Sequence, residues 1–194
     1  MSTKKHNSTT PDRRSFIAAT AGAAALLTAA GASAKAAPGQ TASTKVVTEF
    51  LSNTAPDKIE AAAQRLVAED ATYISLNFDN PDLKKVLPWT GTQKGRKAYT
   101  STFIGVAKYW TVEDFKIFEL FGAGENVAVF GSFTYRSNSR GKSFTSPFSV
   151  HAKVKNGQIV YFMFMEDTFA SSRSFSSGGT WTIKTDPNGP EFQV

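Results

Sequence analysis

Gly157-Gln158-Ile159-Val160-Tyr161-Phe162-Met163-Phe164-Met165-Glu166-Asp167-Thr168-Phe169 is the stretch on which the reading of this chain turns. Asn156-Gly157 supplies a turn before it, and Ile159 to Met165 is apolar without interruption, as a strand covered on both faces must be. Side chains alternate across a strand, so Ile159, Tyr161, Met163, Met165 and Asp167 share one face while Val160, Phe162, Phe164 and Glu166 share the other. Only one of the two acids can look into a given cavity. A carboxyl at the rim of a Phe- and Met-lined space is poorly solvated, which raises its pKa and makes it a better base once a substrate excludes water. Asp167 is the expected base, and Glu166 the expected surface or interface charge.

Working outward toward the C-terminus, Thr168 to Phe175 reads as a short helical turn that closes the domain. Residues 176–194 form a Ser-, Gly- and Pro-rich tail whose one strand-like piece is Thr180 to Lys184. Toward the N-terminus, three further strands are expected over Val112 to Phe121, Asn126 to Arg136 and Ser143 to Lys155, with Gly131 a bulge. Arg96 to Tyr109 carries helical periodicity, and Asp79 to Gly95 reads as a long loop. Ala71 to Phe78 is a strand in which Thr72, Ile74, Leu76 and Phe78 oppose Tyr73, Ser75 and Asn77. Two helices precede it, one from Thr44 as its cap and one over Asp57 to Ala68.

The first 34 residues have the form of a twin-arginine export signal. A polar start leads to Asp12-Arg13-Arg14-Ser15-Phe16, a mildly apolar Ala-rich run follows, and Ala32-Ser33-Ala34 offers a cleavage site. The expected location is therefore periplasmic or extracellular, with no stable membrane span once the signal is removed. Residues 35–43 read as a linker and 44–175 as one domain. The 194-residue chain carries a formal charge of +6, and loss of residues 1–34 removes four basic and one acidic side chain, leaving +3. The base is largely an export label, and no recognition motif accompanies it, so nucleic acid is not an expected partner. There is no cysteine, so stability comes from the core alone. No metal-ligand spacing, nucleotide-binding glycine loop or nucleophile motif is present in the sequence.

The order helix, helix, strand, long loop, helix and four strands is that of an α+β fold, with a curved antiparallel sheet wrapped around N-terminal helices to leave a conical cavity. Leu87-Pro88-Trp89-Thr90-Gly91-Thr92-Gln93-Lys94-Gly95-Arg96 resembles the Pro-aromatic-x-Gly-x-x-x-Gly-Arg stretch of SnoaL-like proteins in the nuclear transport factor 2-like (ketosteroid isomerase-like) superfamily. Asn156 to Asp167, with Arg173 six residues on, is similar to that family's last strand and terminal turn. The resemblance implies the cystatin-like α+β roll, a homodimer, no cofactor and a small, largely apolar ligand. It implies Asp167 as the carboxylate that removes a proton next to a carbonyl, and His151 as its assistant. Tyr73 or Tyr161 would hold the developing enolate. Tyr73, Trp89, Tyr135, Tyr161 and Met163 are the expected ligand contacts. Fold does not fix activity, so two readings follow: an isomerase- or cyclase-like enzyme, or a non-catalytic ligand-binding or dimeric interaction module.

Overall fold

The computed structural model describes residues 41–194, so the expected export signal and all but the end of the linker lie outside the described residues. The first helix, α1 (Ala42–Leu51), starts two residues before the expected cap, because Thr41 caps it instead: its Oγ1 accepts from Thr44 N at 3.2 Å. Thr44 is itself buried within the first turn. Helix α2 (Ile59–Leu66) runs without a loop into strand β1 (Val67–Ser75), which begins and ends earlier than the apolar alternation suggests. Leu76 ends the strand by adopting φ +65°, a left-handed conformation that breaks any extended ladder.

The expected loop over residues 79–95 holds two short elements. Asn80 accepts from Leu83 N at 3.0 Å and Pro81 follows it, a cap and first-turn pair that starts α3 (Pro81–Val86). Strand β2 (Gly91–Lys94) comes next, then α4 (Arg96–Tyr109), whose bounds match the periodicity. Four long strands complete the sheet: β3 (Trp110–Ala123), β4 (Asn126–Ser137), β5 (Ser143–Lys155) and β6 (Gln158–Glu166). Helix α5 (Thr168–Arg173) and a two-residue hairpin, β7 (Thr182–Ile183) with β8 (Phe192–Gln193), follow. No helix among the described residues is long and apolar enough to cross a membrane.

The six strands lie in the order β2-β1-β6-β5-β4-β3. Every neighbouring pair is antiparallel except β1 and β6, which are parallel, so the sheet is mixed where a wholly antiparallel one was expected. The reason is topological. A strand next to β6 that is separated from it by two helices and four strands is free to take either direction, and only sequential hairpins are bound to alternate.

Helices α1, α2 and α4 cover one face of the sheet and fill one part of it. Phe50 of α1, Tyr99 of α4 and Phe162 of β6 are fully buried there, with Phe50 set edge-on at 5.8 Å from Tyr99 and 5.6 Å from Phe162. Burying an aromatic side chain of this size contributes roughly 2–3 kcal/mol, so this cluster anchors the fold. A second cluster, Leu76, Leu87, Trp89 and Trp110, gathers Tyr135, Phe144, Phe164 and Phe175 around it. Gly131 is not the bulge. The register shift lies on β3 between Ile117 and Glu119, and Gly131 is required because a Cβ there would fall 2.1 Å from Lys116 O and 2.5 Å from the Phe148 ring.

Candidate functional site

Strand β6 delivers the site, and alternation decides which acid it offers. Phe162 is fully buried and Phe164 stacks at 5.4 Å on Phe148, which is itself buried, so the face they share is the helix-covered one. Glu166 continues that face. Its side chain is half-buried overall, but Oε1 is sealed from solvent and meets no hydrogen-bond partner among the described residues. Strand β1 brings Tyr73 and Ser75 to the same face, with Tyr73 opposite Phe162 and Ser75 opposite Phe164 in the parallel register. Tyr73 stacks on Phe162 at 5.7 Å and is 2% exposed. Tyr135 of β4 packs on Phe133 at 4.2 Å and on Trp110 at 5.9 Å.

These groups form one electrostatic neighbourhood. Burial pushes the Glu166 carboxyl up from 4.5 to about 7, with the Ser171 hydroxyl pulling the other way and the Asp167 charge adding to the rise. Burial also raises the Tyr73 phenol, opposed by the Ser75 hydroxyl and reinforced by Glu166 and Tyr135. Tyr135 is raised by burial first and by Glu166 second. The two phenols therefore stay protonated and act as neutral donors, while Glu166 changes charge near neutral pH. An acid poised near pH 7 on the same covered face as two neutral donors has the chemistry to take a proton from carbon, and such donors the chemistry to hold the oxygen on which the charge collects. Among the described residues no group of three or more His, Asp and Glu could hold a metal ion.

Several expected residues sit elsewhere. Asp167 is exposed and caps α5, its Oδ1 accepting from Phe169 N and Ala170 N at 3.0 Å each. Its backbone N–H donates to Ser146 Oγ at 2.8 Å, so both its side chain and its main chain are committed to holding the strand-to-helix turn. Asp167, the expected base, is thus turned away from the helix-covered face, and the acid that this face carries is Glu166. His151 pairs with Met163 across β5 and β6, which places it on the opposite face of the sheet. There its Nε2 lies 3.1 Å from Asn126 Oδ1 and its ring 5.4 Å from that of Tyr161. Tyr161, whose hydroxyl reaches Met163 Sδ at 3.6 Å, also lies there, so His151, Tyr161 and Met163 are not brought to Glu166. The same outer face exposes Phe121 and Phe130. Tyr73 and Tyr135 share the covered face with Glu166 and feel its charge, and Trp89 walls the second cluster, edge-on to Trp110 at 4.9 Å.

Sequence reasoning placed Glu166 at the surface and gave Ser171 no role, whereas Ser75 belongs to the set of β1 side chains that it offered as pocket polar groups or a solvated face. Alternation alone placed Glu166 with Phe162 and Phe164, and this signal would have found it once the helices were known to cover that face. Ser171 of α5 is fully buried, and Ser174 one turn on accepts from Trp110 Nε1 at 3.0 Å, which pins the helix against the aromatic wall.

No family model matches the chain. A SnoaL-like protein from Jannaschia superposes with a TM-score of 0.59 at 12% identity, over 74% of this chain and 97% of that one. An NTF2-like protein of Burkholderia xenovorans gives 0.59 at 19% identity, over 70% and 96%. These likenesses establish the fold. In sequence, patulin synthesis protein F of Aspergillus clavatus is 41% identical over 141 residues, 71% of each chain. With that identity over that length, on an NTF2-like, SnoaL-like α+β fold, the chain belongs to the family of patulin synthesis protein F.

Proposed function

We propose that the chain binds a small, largely apolar, oxygenated molecule beside Glu166 and catalyses cofactor-independent proton transfer next to a carbonyl, as an isomerase or cyclase does. One observation carries this reading: on the helix-covered face Glu166 holds a sealed, unpartnered oxygen, its carboxyl is pushed up to about 7 by burial, and its charge is felt by the two buried phenols of Tyr73 and Tyr135. In its ionised form Glu166 takes a proton from the carbon next to the carbonyl, and the electron pair moves onto the carbonyl oxygen. Tyr73 or Tyr135 donates a hydrogen bond to that oxygen as charge collects there. The protonated Glu166 then returns the proton at a different atom, which isomerises the molecule. In the cyclase variant the enolate carbon attacks a second carbonyl of the same molecule, and Glu166 protonates the new alkoxide. The aromatic wall keeps water away and strengthens each of these contacts. The name of the Aspergillus relative ties it to patulin synthesis, which supports a small-molecule substrate for this chain too.

The test is proton exchange in D2O, followed by NMR over a panel of cyclic ketones and enones. The parent protein should exchange the proton next to the carbonyl of at least one panel member. Glu166→Gln should lower that rate by about 10²–10⁴-fold, the usual contribution of a positioned general base. Asp167→Asn should change it far less. A silent parent, or an unaffected Glu166→Gln variant, removes the reading.

A further inference from the structure

Asn77 lies just past the end of β1, and the chain goes to some cost to place it. Leu76, between the strand and Asn77, holds φ +65°, a conformation that costs a residue with a side chain on the order of 1–2 kcal/mol. It is kept there by its N–H to Phe164 O at 2.9 Å and by burial among Trp89, Trp110 and Phe164. The chain then doubles back, with Asn77 N donating to Ser75 O at 2.8 Å. Phe78 O accepts from both Thr92 N at 3.0 Å and Thr92 Oγ1 at 2.9 Å. The turn breaks the strand alternation and takes the Asn77 side chain out of solvent. Both its Nδ2 and its Oδ1 are sealed and meet no hydrogen-bond partner among the described residues.

Two other polar groups at the same end of the sheet share that condition. Thr90 Oγ1 precedes β2, whose Gly91 pairs with Ser75. Glu166 Oε1 ends β6, whose Phe164 also pairs with Ser75. Three neighbouring strand ends thus present unpartnered polar atoms beside one aromatic cluster. Leaving a buried amide unmatched costs about 1–3 kcal/mol, so each such group in a native protein calls for a partner or a functional role. A primary amide sets a donor and an acceptor side by side, so its complement is a molecule that does the same.

Building on the Glu166 site described above, we propose that Asn77, with Thr90, is a polar anchor that selects substrates carrying a carbonyl and a hydroxyl on adjacent atoms, such as hydroxy-enones. The amide N–H donates to the carbonyl oxygen and the amide oxygen accepts from the hydroxyl. Glu166 and the tyrosines are then left to a second carbonyl of the same substrate and the carbon next to it.

Two ring probes that differ only in the hydroxyl test this: 2-hydroxycyclohex-2-enone and cyclohex-2-enone, with Kd read by calorimetry on the full chain. The parent should bind the hydroxylated probe about tenfold or more tightly, the discrimination expected of matched buried hydrogen bonds. Asn77→Leu should bring the ratio close to one while still binding cyclohex-2-enone, and its thermal midpoint should hold or rise, because an unmatched polar group has been removed. Asn77→Asp, which keeps the acceptor and loses the donor, should reduce the ratio part way. Equal affinity of the parent for both probes, no measurable binding of either, or an Asn77→Leu variant that loses stability with its ratio intact would overturn the anchor. Persistent proton exchange without discrimination sinks only the anchor. Discrimination that survives while Glu166→Gln leaves exchange unchanged sinks only the proton-transfer reading.

Discussion

Glu166 and Asp167 are adjacent in sequence and opposite in environment. Asp167 is exposed, and its Oδ1 accepts from two backbone N–H groups. Glu166 loses its water to the aromatic face, and the folded protein binds its proton more tightly than the unfolded chain does. Between the unfolded value of 4.5 and the folded value of about 7, the native state therefore holds more protons, and stability is lost as pH rises through that window. The loss is on the order of 2 kcal/mol once the partial exposure of the side chain is discounted. Stability measured by urea unfolding should fall by that amount from pH 5 to pH 8 in the parent, and the fall should be largely absent in Glu166→Gln. A parallel decline in both proteins would show that another group is responsible. The sequence shows both acids and the alternation that separates them. It does not show which face the helices cover, because Tyr161, Met163 and Met165 look as apolar as Val160, Phe162 and Phe164. His151 misled for the same reason: its chemistry was legible and its side of the sheet was not.

At the scale of elements, α5 is the lid on this arrangement, and Asp167 is its fastening. Ser171 of α5 faces Glu166, and Ser174 just beyond it holds the Trp110 indole, so fraying the first turn would loosen both. Asp167→Ala should cost about 1 kcal/mol in chemical unfolding, the usual worth of an N-cap, and an unchanged unfolding midpoint would remove the capping role. Long periodic elements were readable: α4 and the four long strands fall where the patterns put them. Short ones were not. Helix α3 and strand β2 are too brief for any period to register, and only Asn80-Pro81 marked the first of them. The end of β1 was set by the strained turn at Leu76, a tertiary effect enforced by Phe164 on the neighbouring strand and absent from any local preference.

At the scale of the molecule, the helices pack one part of the covered face solid with Phe50, Tyr99 and Phe162, and leave polar groups among aromatics at the strand ends near Glu166. That division separates two roles: the closed part supplies folding energy, and the other carries the sealed, unpartnered groups on which the proposed binding rests. Element order was enough to reach this fold class from sequence, since a helix pair ahead of a strand, a further helix and a four-strand run admits few packings. The parallel pairing of β1 with β6 was beyond it, because no local pattern encodes the direction of a neighbour so distant in sequence. Burial displaces the Glu166 carboxyl from its ordinary range, and the proposed chemistry depends on that displacement. Its titration in the full chain, followed through the side-chain carboxyl carbon by NMR, should show a midpoint near 7, against an ordinary 4.5. A midpoint close to the ordinary value would mean that this carboxyl is solvated, and would contradict the site.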